Sequence, residues 1–347
     1  MDEKKLRIGI VGAGNIATNA HLPAYQKTQN TIVAAIADLD YSRAVAAAEK
    51  YSIPHAYASL ADMLANEDID AVDICTWNIA HSEVAVEAAK AKKHILCEKP
   101  MASSLEEALR IEKAVKESGV AFMLAVPGRF ADRNQYVRAM LEKGELGEVY
   151  YAKTSYVRRR GTPYGWFTDK KTSGGGPVID IGIHGIDAAW YLMGTPKPTR
   201  ISASTSSKIG DYQTKGVDRW IGTLCPDNKF DTEDSGCGVI HFENGAMLMF
   251  EATWALNAPS HSDTLICGSK AGVTLDPLTI YGERNQYLSD DVITLGQNDK
   301  FADEITHFAD CILNNKTLRY PIEQAVLMQR MLEGIYKSAQ EHKEIEI

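Results

Sequence analysis

From residue 6 to about 126, short β-rich runs alternate with stretches in which apolar residues recur every three or four positions. A short apolar run bounded by turn residues reads as a buried strand, and the three-to-four spacing reads as an amphipathic helix. The pattern predicts strands over residues 6–11, 31–37, 71–76, 94–97 and 121–126, and helices over 43–51, 60–65, 81–91 and 105–118. Gly119 supplies a stop for the last helix. Such alternation is the signature of βαβ units around a parallel sheet, so residues 1–126 are expected to form an α/β domain.

Beyond residue 127 the rhythm changes. A helix over 133–143 is followed by Gly174-Gly-Gly-Pro177, which leads into a helix from about 180 to 193. Two β-rich runs, 238–242 and 246–254, flank Glu243-Asn-Gly245, and Asn-Gly between such runs is the strongest short hairpin signal. Further strands are expected at 201–208, 264–267, 273–275 and 279–281, with helices over 301–313 and from Pro321 to about 339. Strands grouped without intervening helices predict a largely antiparallel sheet, hence an α+β domain over 127–347 whose C-terminal helix is free to pack back on the first domain.

The length of 347 residues fits two domains, and 45% hydrophobic with 24% charged residues excludes disordered, collagen-like and disulfide-scaffold classes. A net charge of −9 disfavours nucleic acid and anionic membranes as partners. No apolar run approaches the ~18 residues of a membrane span, and Met1-Asp-Glu-Lys-Lys-Leu-Arg passes into Ile8-Gly-Ile-Val11 without a signal-peptide core. A cytoplasmic location is the expectation. Cys75, Cys97, Cys225, Cys237, Cys267 and Cys311 show no paired spacing, so they are read as reduced, buried thiols with no metal site and no disulfide.

Gly12-Ala-Gly14-Asn15-Ile16-Ala17 directly follows the first predicted strand and opens a helix, which is the context a G-x-G-x-x-A dinucleotide fingerprint requires. Gly12 permits the tight turn, Gly14 lets a pyrophosphate approach the backbone, and Ala17 lets helix and strand pack closely. The second predicted strand leads into Asp38, 24 residues after Gly14, where a carboxylate can accept hydrogen bonds from both ribose hydroxyls of the adenosine. The same charge repels a 2′-phosphate, so NAD is favoured over NADP, with Arg43 as the one cation near enough to argue otherwise.

At the end of the fifth predicted strand stands Cys97-Glu98-Lys99-Pro100, with Lys99 on the side where ligands bind in open α/β sheets. Together with the fingerprint, Thr76-Trp-Asn78-Ile-Ala-His81, Gly174-Gly-Gly-Pro-Val-Ile-Asp180-Ile-Gly-Ile-His184, Thr232-Glu-Asp-Ser235 and the Asn244-Gly245 hairpin, this resembles the Gfo/Idh/MocA oxidoreductases over essentially the whole chain. The resemblance implies a Rossmann domain joined to an α+β domain with an open sheet that serves as an oligomer interface, and hence a homo-oligomer, a dimer or tetramer. It also implies an active site between the domains, with Lys99, Asp180 and His184 as the catalytic trio and cofactor contacts from Thr76, Asn78, His81 and Glu98. One departure is Trp77, which stands where that family usually has proline.

Asp180 and His184 are four apart and so share one helical face, and their Gly-rich entry is read as room for a ligand. Lys153, Arg158, Arg159, Arg160, Lys170 and Lys171 form a local basic excess that could hold an anionic substrate group, reach the cofactor or remain solvated. The sequence therefore predicts an NAD-dependent dehydrogenase acting on a secondary alcohol of a sugar, sugar derivative or cyclitol. The alternatives are an enzyme that retains NAD for redox-assisted glycoside cleavage or epimerisation, and a non-catalytic NAD-binding sensor.

Overall fold

The computed structural model describes residues 4–220, 222 and 229–347, which leaves Cys225 and the first three residues outside the description. The first-half strands lie where the apolar runs are: β1 (Leu6–Val11), β2 (Thr31–Ala37), β3 (His55–Tyr57), β4 (Ala71–Ile74), β5 (His94–Glu98) and β6 (Phe122–Ala125). All pair in parallel, in the order β3-β2-β1-β4-β5-β6. Ile8, Ile10, Ile36, Val72, Ile74, Ile95 and Leu96 are fully buried, as a parallel sheet covered on both faces demands. The strand β3 escaped prediction because it is three residues long and at most half-buried, with no apolar run to announce it. Helix Leu105–Ser118 begins where the Ser104 hydroxyl accepts the Glu107 N–H and ends at Gly119, whose φ of +72° suits glycine.

Two compact units result, the first taking the residues up to Phe130 and adding Asn298–Val326, the second taking Ala131–Gln297 and Leu327–Ile347. Helix Lys300–Leu313 returns to the first unit because its apolar stripe, Ile305, Phe308 and Ala309, belongs to that unit's core.

Among the described residues the second unit has nine strands: β7 (Val149–Val157), β8 (Pro198–Ser206), β9 (Ser235–Phe242), β10 (Met247–Thr253), β11 (His261–Gly268), β12 (Gly272–Leu275), β13 (Leu278–Arg284), β14 (Tyr287–Val292) and β15 (Ile345–Glu346). Their order is β14-β13-β12-β11-β7-β10-β9-β8-β15, antiparallel throughout except for the β7–β10 pair. The expected hairpin joins β9 to β10 through Asn244 and Gly245, the latter at φ +82°.

The central strand β7 is the largest element that the pattern failed to predict. Its buried positions include Thr154 and Ser155, so no apolar run marks it; the Thr154 hydroxyl meets that of Thr264 at 3.0 Å. Helix Ile183–Leu192 packs Ile183, Ile186 and Trp190 into one core with Ile240, Leu248, Phe250 and Ile266 of the sheet. Met249, between two buried neighbours of β10, points to the opposite, open face. Among the described residues no helix is long and apolar enough to cross a membrane.

Candidate active site

At the end of β1 the chain turns at Gly12 with φ +99°, and a Cβ there would fall 2.6 Å from the Cys75 carbonyl oxygen, so glycine is required by both conformation and space. A Cβ on Gly14 would meet nothing within 4 Å, so that glycine leaves open room over the turn. Ala17 is fully buried, Ile16 packs on the first unit's core, and Asn15 is exposed. The helix begins with a π-helical turn, Ala17–His21, and continues as Leu22–Tyr25. Asp38, just past β2, accepts the Ala13 N–H on one oxygen at 2.7 Å and the Asp40 N–H on the other at 2.8 Å, which fixes the carboxylate beside the fingerprint turn. Arg43 pairs with Asp40 at 3.3 Å instead of reaching past it.

After β4, Trp77 adopts φ −70°, a value within the range proline would impose, so the turn keeps its shape without the proline. Thr76 is half-buried and Asn78 buried. His81 is fully buried, with one ring nitrogen 2.8 Å from the Pro100 carbonyl and the other 3.1 Å from that of Thr76. Both nitrogens point at backbone carbonyls of the turns after β4 and β5, and burial holds the ring below its ordinary 6.5, so His81 donates to one of them and joins the two turns from inside the fold.

Glu98, the last residue of β5, is also buried and turned inward. One carboxylate oxygen accepts the Lys99 N–H at 3.0 Å and the other lies 2.9 Å from His21 Nε2. His21 Nδ1 faces Asp73 at 2.8 Å, and Asp73 also accepts the Tyr25 hydroxyl at 3.0 Å. A ring between two carboxylates must donate from both nitrogens, so His21 is an imidazolium. Burial opposes that charge most strongly, but the charge and hydrogen bonding of Asp73 and Cys75 together outweigh it and hold the histidine well above its ordinary 6.5. Burial likewise opposes Glu98, yet the bond and charge of His21 keep it below its ordinary 4.5. Burial and then Asp73 push the Cys75 thiol up to about 12, and Glu304 is pushed well up by burial and then by Glu98.

His21, Asp73 and Cys75 come within 4.8 Å of one another, a grouping that the cysteine spacing could not show. With both histidine nitrogens engaged by carboxylates, its bonding serves charge pairing. Glu98 is therefore an anchor for the Lys99 backbone, and the sequence reading of it as a cofactor contact does not match its inward orientation.

This pairing sets a pH window for stability. Glu98, lowered in the fold, contributes above 4.5 and loses its contribution as pH falls through its folded value; His21, raised in the fold, contributes below 6.5 and loses it as pH rises through its own. Stability is thus expected to be highest between those values. His21→Asn should lower the unfolding free energy there by about 3–5 kcal/mol, by stranding two buried carboxylates, and should flatten the alkaline decline. Urea unfolding over a pH series checks this, and an alkaline decline that survives the substitution would assign it to another group.

In the second unit, Asp180 lies in the π-helical turn Val178–Gly182 and His184 in the first turn of Ile183–Leu192. Both line one cavity of about 430 Å³ with Tyr156, Arg158, Phe167 and Trp220. Trp254, fully buried, donates its indole N–H to Asp180 at 3.0 Å. The Gly-rich entry has a different use from the one expected. A Cβ on Gly175 would lie 2.1 Å from the Tyr336 hydroxyl, and one on Gly176 2.1 Å from the Glu233 carbonyl, so these glycines make room for protein neighbours and not for a ligand.

Glu233 accepts the Gly176 N–H at 2.9 Å, the Val178 N–H at 3.3 Å and the Tyr336 hydroxyl at 2.9 Å, holding the start of the turn that carries Asp180; burial leaves its carboxyl above the usual range. Trp254, Glu233 and His21 are supports that the sequence reading missed, because each acts on a residue distant along the chain. Of the basic excess, Lys153, Arg159, Lys170 and Lys171 are exposed and Arg160 donates to Asn257 at 2.8 Å, which leaves Arg158 in the cavity lining. Cys75, Cys97 and Cys311 are buried as expected, whereas Cys237 is exposed and Cys267 half-buried.

A parallel sheet with a glycine fingerprint on its first strand, followed by a second α/β unit bearing a carboxylate and an imidazole in one cavity, defines the class of nucleotide-dependent oxidoreductases. The chain belongs to the Gfo/Idh/MocA oxidoreductase family: residues 6–126 match its NAD-binding Rossmann fold and residues 138–347 its C-terminal α/β domain. It is 33% identical to the D-glucoside 3-dehydrogenase of Escherichia coli K12 over an alignment of 356 positions, covering 100% of this chain and 99% of that one. It is 28% identical to an NADP-dependent D-xylose 1-dehydrogenase of Haloferax volcanii, over 99% of this chain and 100% of that one. A solved levoglucosan dehydrogenase in complex with NADH shares the fold, with a TM-score of 0.86 at 22% identity over 99% of each chain.

Proposed function

We propose that this protein is an NAD-dependent dehydrogenase that oxidises a secondary alcohol of a sugar, sugar derivative or cyclitol and reduces the ketone in the reverse direction. The observation that carries the reading is the shared cavity of Asp180 and His184. It has hydroxyl-binding groups and an aromatic wall of Tyr156, Phe167 and Trp220, a lining suited to a sugar ring. The full-length likeness to a D-glucoside dehydrogenase supports the same substrate class.

The residues present fit a dinucleotide. Gly12 closes the turn, the space over Gly14 is open, and Asp38 is held ready for ribose hydroxyls, with Thr76 and Asn78 on the turn after β4. When bound, the nicotinamide takes up or returns the hydride of the carbinol carbon. His184 accepts the hydroxyl proton and Lys99 donates a hydrogen bond to the oxygen as it gains negative charge. Asp180, oriented by Trp254, fixes a neighbouring substrate hydroxyl. The open face of the nine-stranded sheet, where Tyr150 and Met249 are exposed, is the surface through which copies of the chain would associate.

A panel of sugars, sugar acids and cyclitols assayed for formation of reduced nicotinamide tests the function. Net reduction of added NAD supports it, and product formation without net reduction would favour a retained cofactor. On the cofactor itself, Asp38 should make NAD better than NADP by about tenfold or more in kcat/KM, and Asp38→Ala should relax that preference. Measuring both cofactors with both proteins checks it; native preference for NADP would remove Asp38 from the ribose site.

A further inference from the structure

We infer that the cavity of the second unit takes a sugar bearing a carboxylate, as in hexuronic acids and their glycosides, with Arg158 as the residue that reads the anionic group. This rests on the dehydrogenase reading above and narrows its substrate class. Arg158 follows the last residue of β7, and its backbone is tied to Thr253 by the N–H at 3.1 Å and by its carbonyl, which accepts the Thr253 hydroxyl at 3.2 Å. Its aliphatic stem lies flat on Gly161, where a Cβ would fall 2.5 Å from Cδ. The side chain is therefore seated in the lining and is not a solvated arm.

Among the described residues the guanidinium donates to neutral partners, the Gly161 carbonyl at 3.2 Å and the Tyr156 hydroxyl at 3.3 Å. Among the described residues no carboxylate lies within 4.0 Å of it. Arginine carries five N–H donors, so those two bonds leave three donors and the whole charge without a paired carboxylate among the described residues. The neighbouring Arg219 is treated otherwise: it pairs with Asp211 at 3.2 Å, donates to the Thr162 and Pro163 carbonyls and stacks on Tyr164 at 3.7 Å. A half-buried cation without an anion is costly unless its partner arrives with the ligand. The planar fork of guanidinium matches a carboxylate bidentately. A dianionic phosphate fits less well, because Asp180 shares the cavity and one cation cannot balance both.

The test uses the full chain with NAD and matched pairs of methyl glycosides and methyl glycosiduronates of gluco, galacto and manno configuration, which differ only in the group at C6. The uronate of the preferred configuration should have the higher kcat/KM. Arg158→Gln should lower the ratio of uronate to neutral glycoside by about 10- to 100-fold, mainly through KM, as expected for loss of a charge-assisted pair. A native preference for neutral glycosides, or a ratio that Arg158→Gln leaves unchanged, overturns the inference while the dehydrogenase reading stands. If no pair is oxidised, the dehydrogenase reading is decided by the wider panel above, and quenching of tryptophan fluorescence by D-glucuronate against D-glucose decides this one: tighter glucuronate binding that Arg158→Gln abolishes supports it, and equal binding overturns it.

Discussion

Lys99→Ala is expected to lower turnover by about 10²-fold or more while leaving NAD affinity within severalfold, the loss that follows removal of a positioned hydrogen-bond donor to developing charge. The separation of the two effects follows from sheet order. Asp38 follows β2 and the fingerprint follows β1, whereas Lys99 follows β5, beyond β4 on the far side of the switch point. A dinucleotide bound as proposed would have its adenosine half held from β1 and β2, away from the strand that carries Lys99. Glu98 holds the Lys99 backbone through its N–H and is itself held by His21, so truncating the lysine side chain leaves that support in place. Cofactor titration beside steady-state kinetics separates the two quantities. Normal turnover in the variant would take Lys99 out of the chemistry.

The second large effect belongs to His184. A base that accepts the substrate proton must be unprotonated for oxidation and protonated for reduction, so oxidation should rise with pH and reduction should fall over the same range. His184→Asn keeps a polar side chain of similar reach but cannot carry the proton. It should cost about 10²- to 10⁴-fold in turnover in both directions and abolish that limb of the profile. Kinetics in both directions over a pH series checks this. A variant that retains the limb and full activity would move the proton acceptor elsewhere, with Lys99 the leading substitute.

What the sequence discloses of this fold is what is local. The fingerprint at Gly12 and the apolar runs of β1, β2, β4, β5 and β6 are contiguous, so spacing alone locates them. The strand β7 lies at the middle of its sheet and yet was not legible, since Thr154 and Ser155 replace the apolar residues a buried strand usually shows. The carboxylates around His21 lie 52 and 77 residues away along the chain, and no spacing rule joins them. The same holds for Trp254, which meets Asp180 across 74 residues. Gly175 and Gly176 were legible as glycines but not as to purpose, because a missing Cβ is equally apt for a ligand and for Tyr336 and Glu233.

Hydride transfer itself is the central claim, and isotope transfer tests it most directly. Native protein should be incubated with NAD and an accepted sugar deuterated at one carbinol carbon at a time, with the recovered nicotinamide analysed by mass. The account predicts that deuterium at a single carbon appears in the reduced nicotinamide, in equal amount to the ketone formed, and that Lys99→Ala slows this transfer by about 10²-fold or more. Ketone formation with no deuterium in the nicotinamide, whichever carbon is labelled, would contradict it.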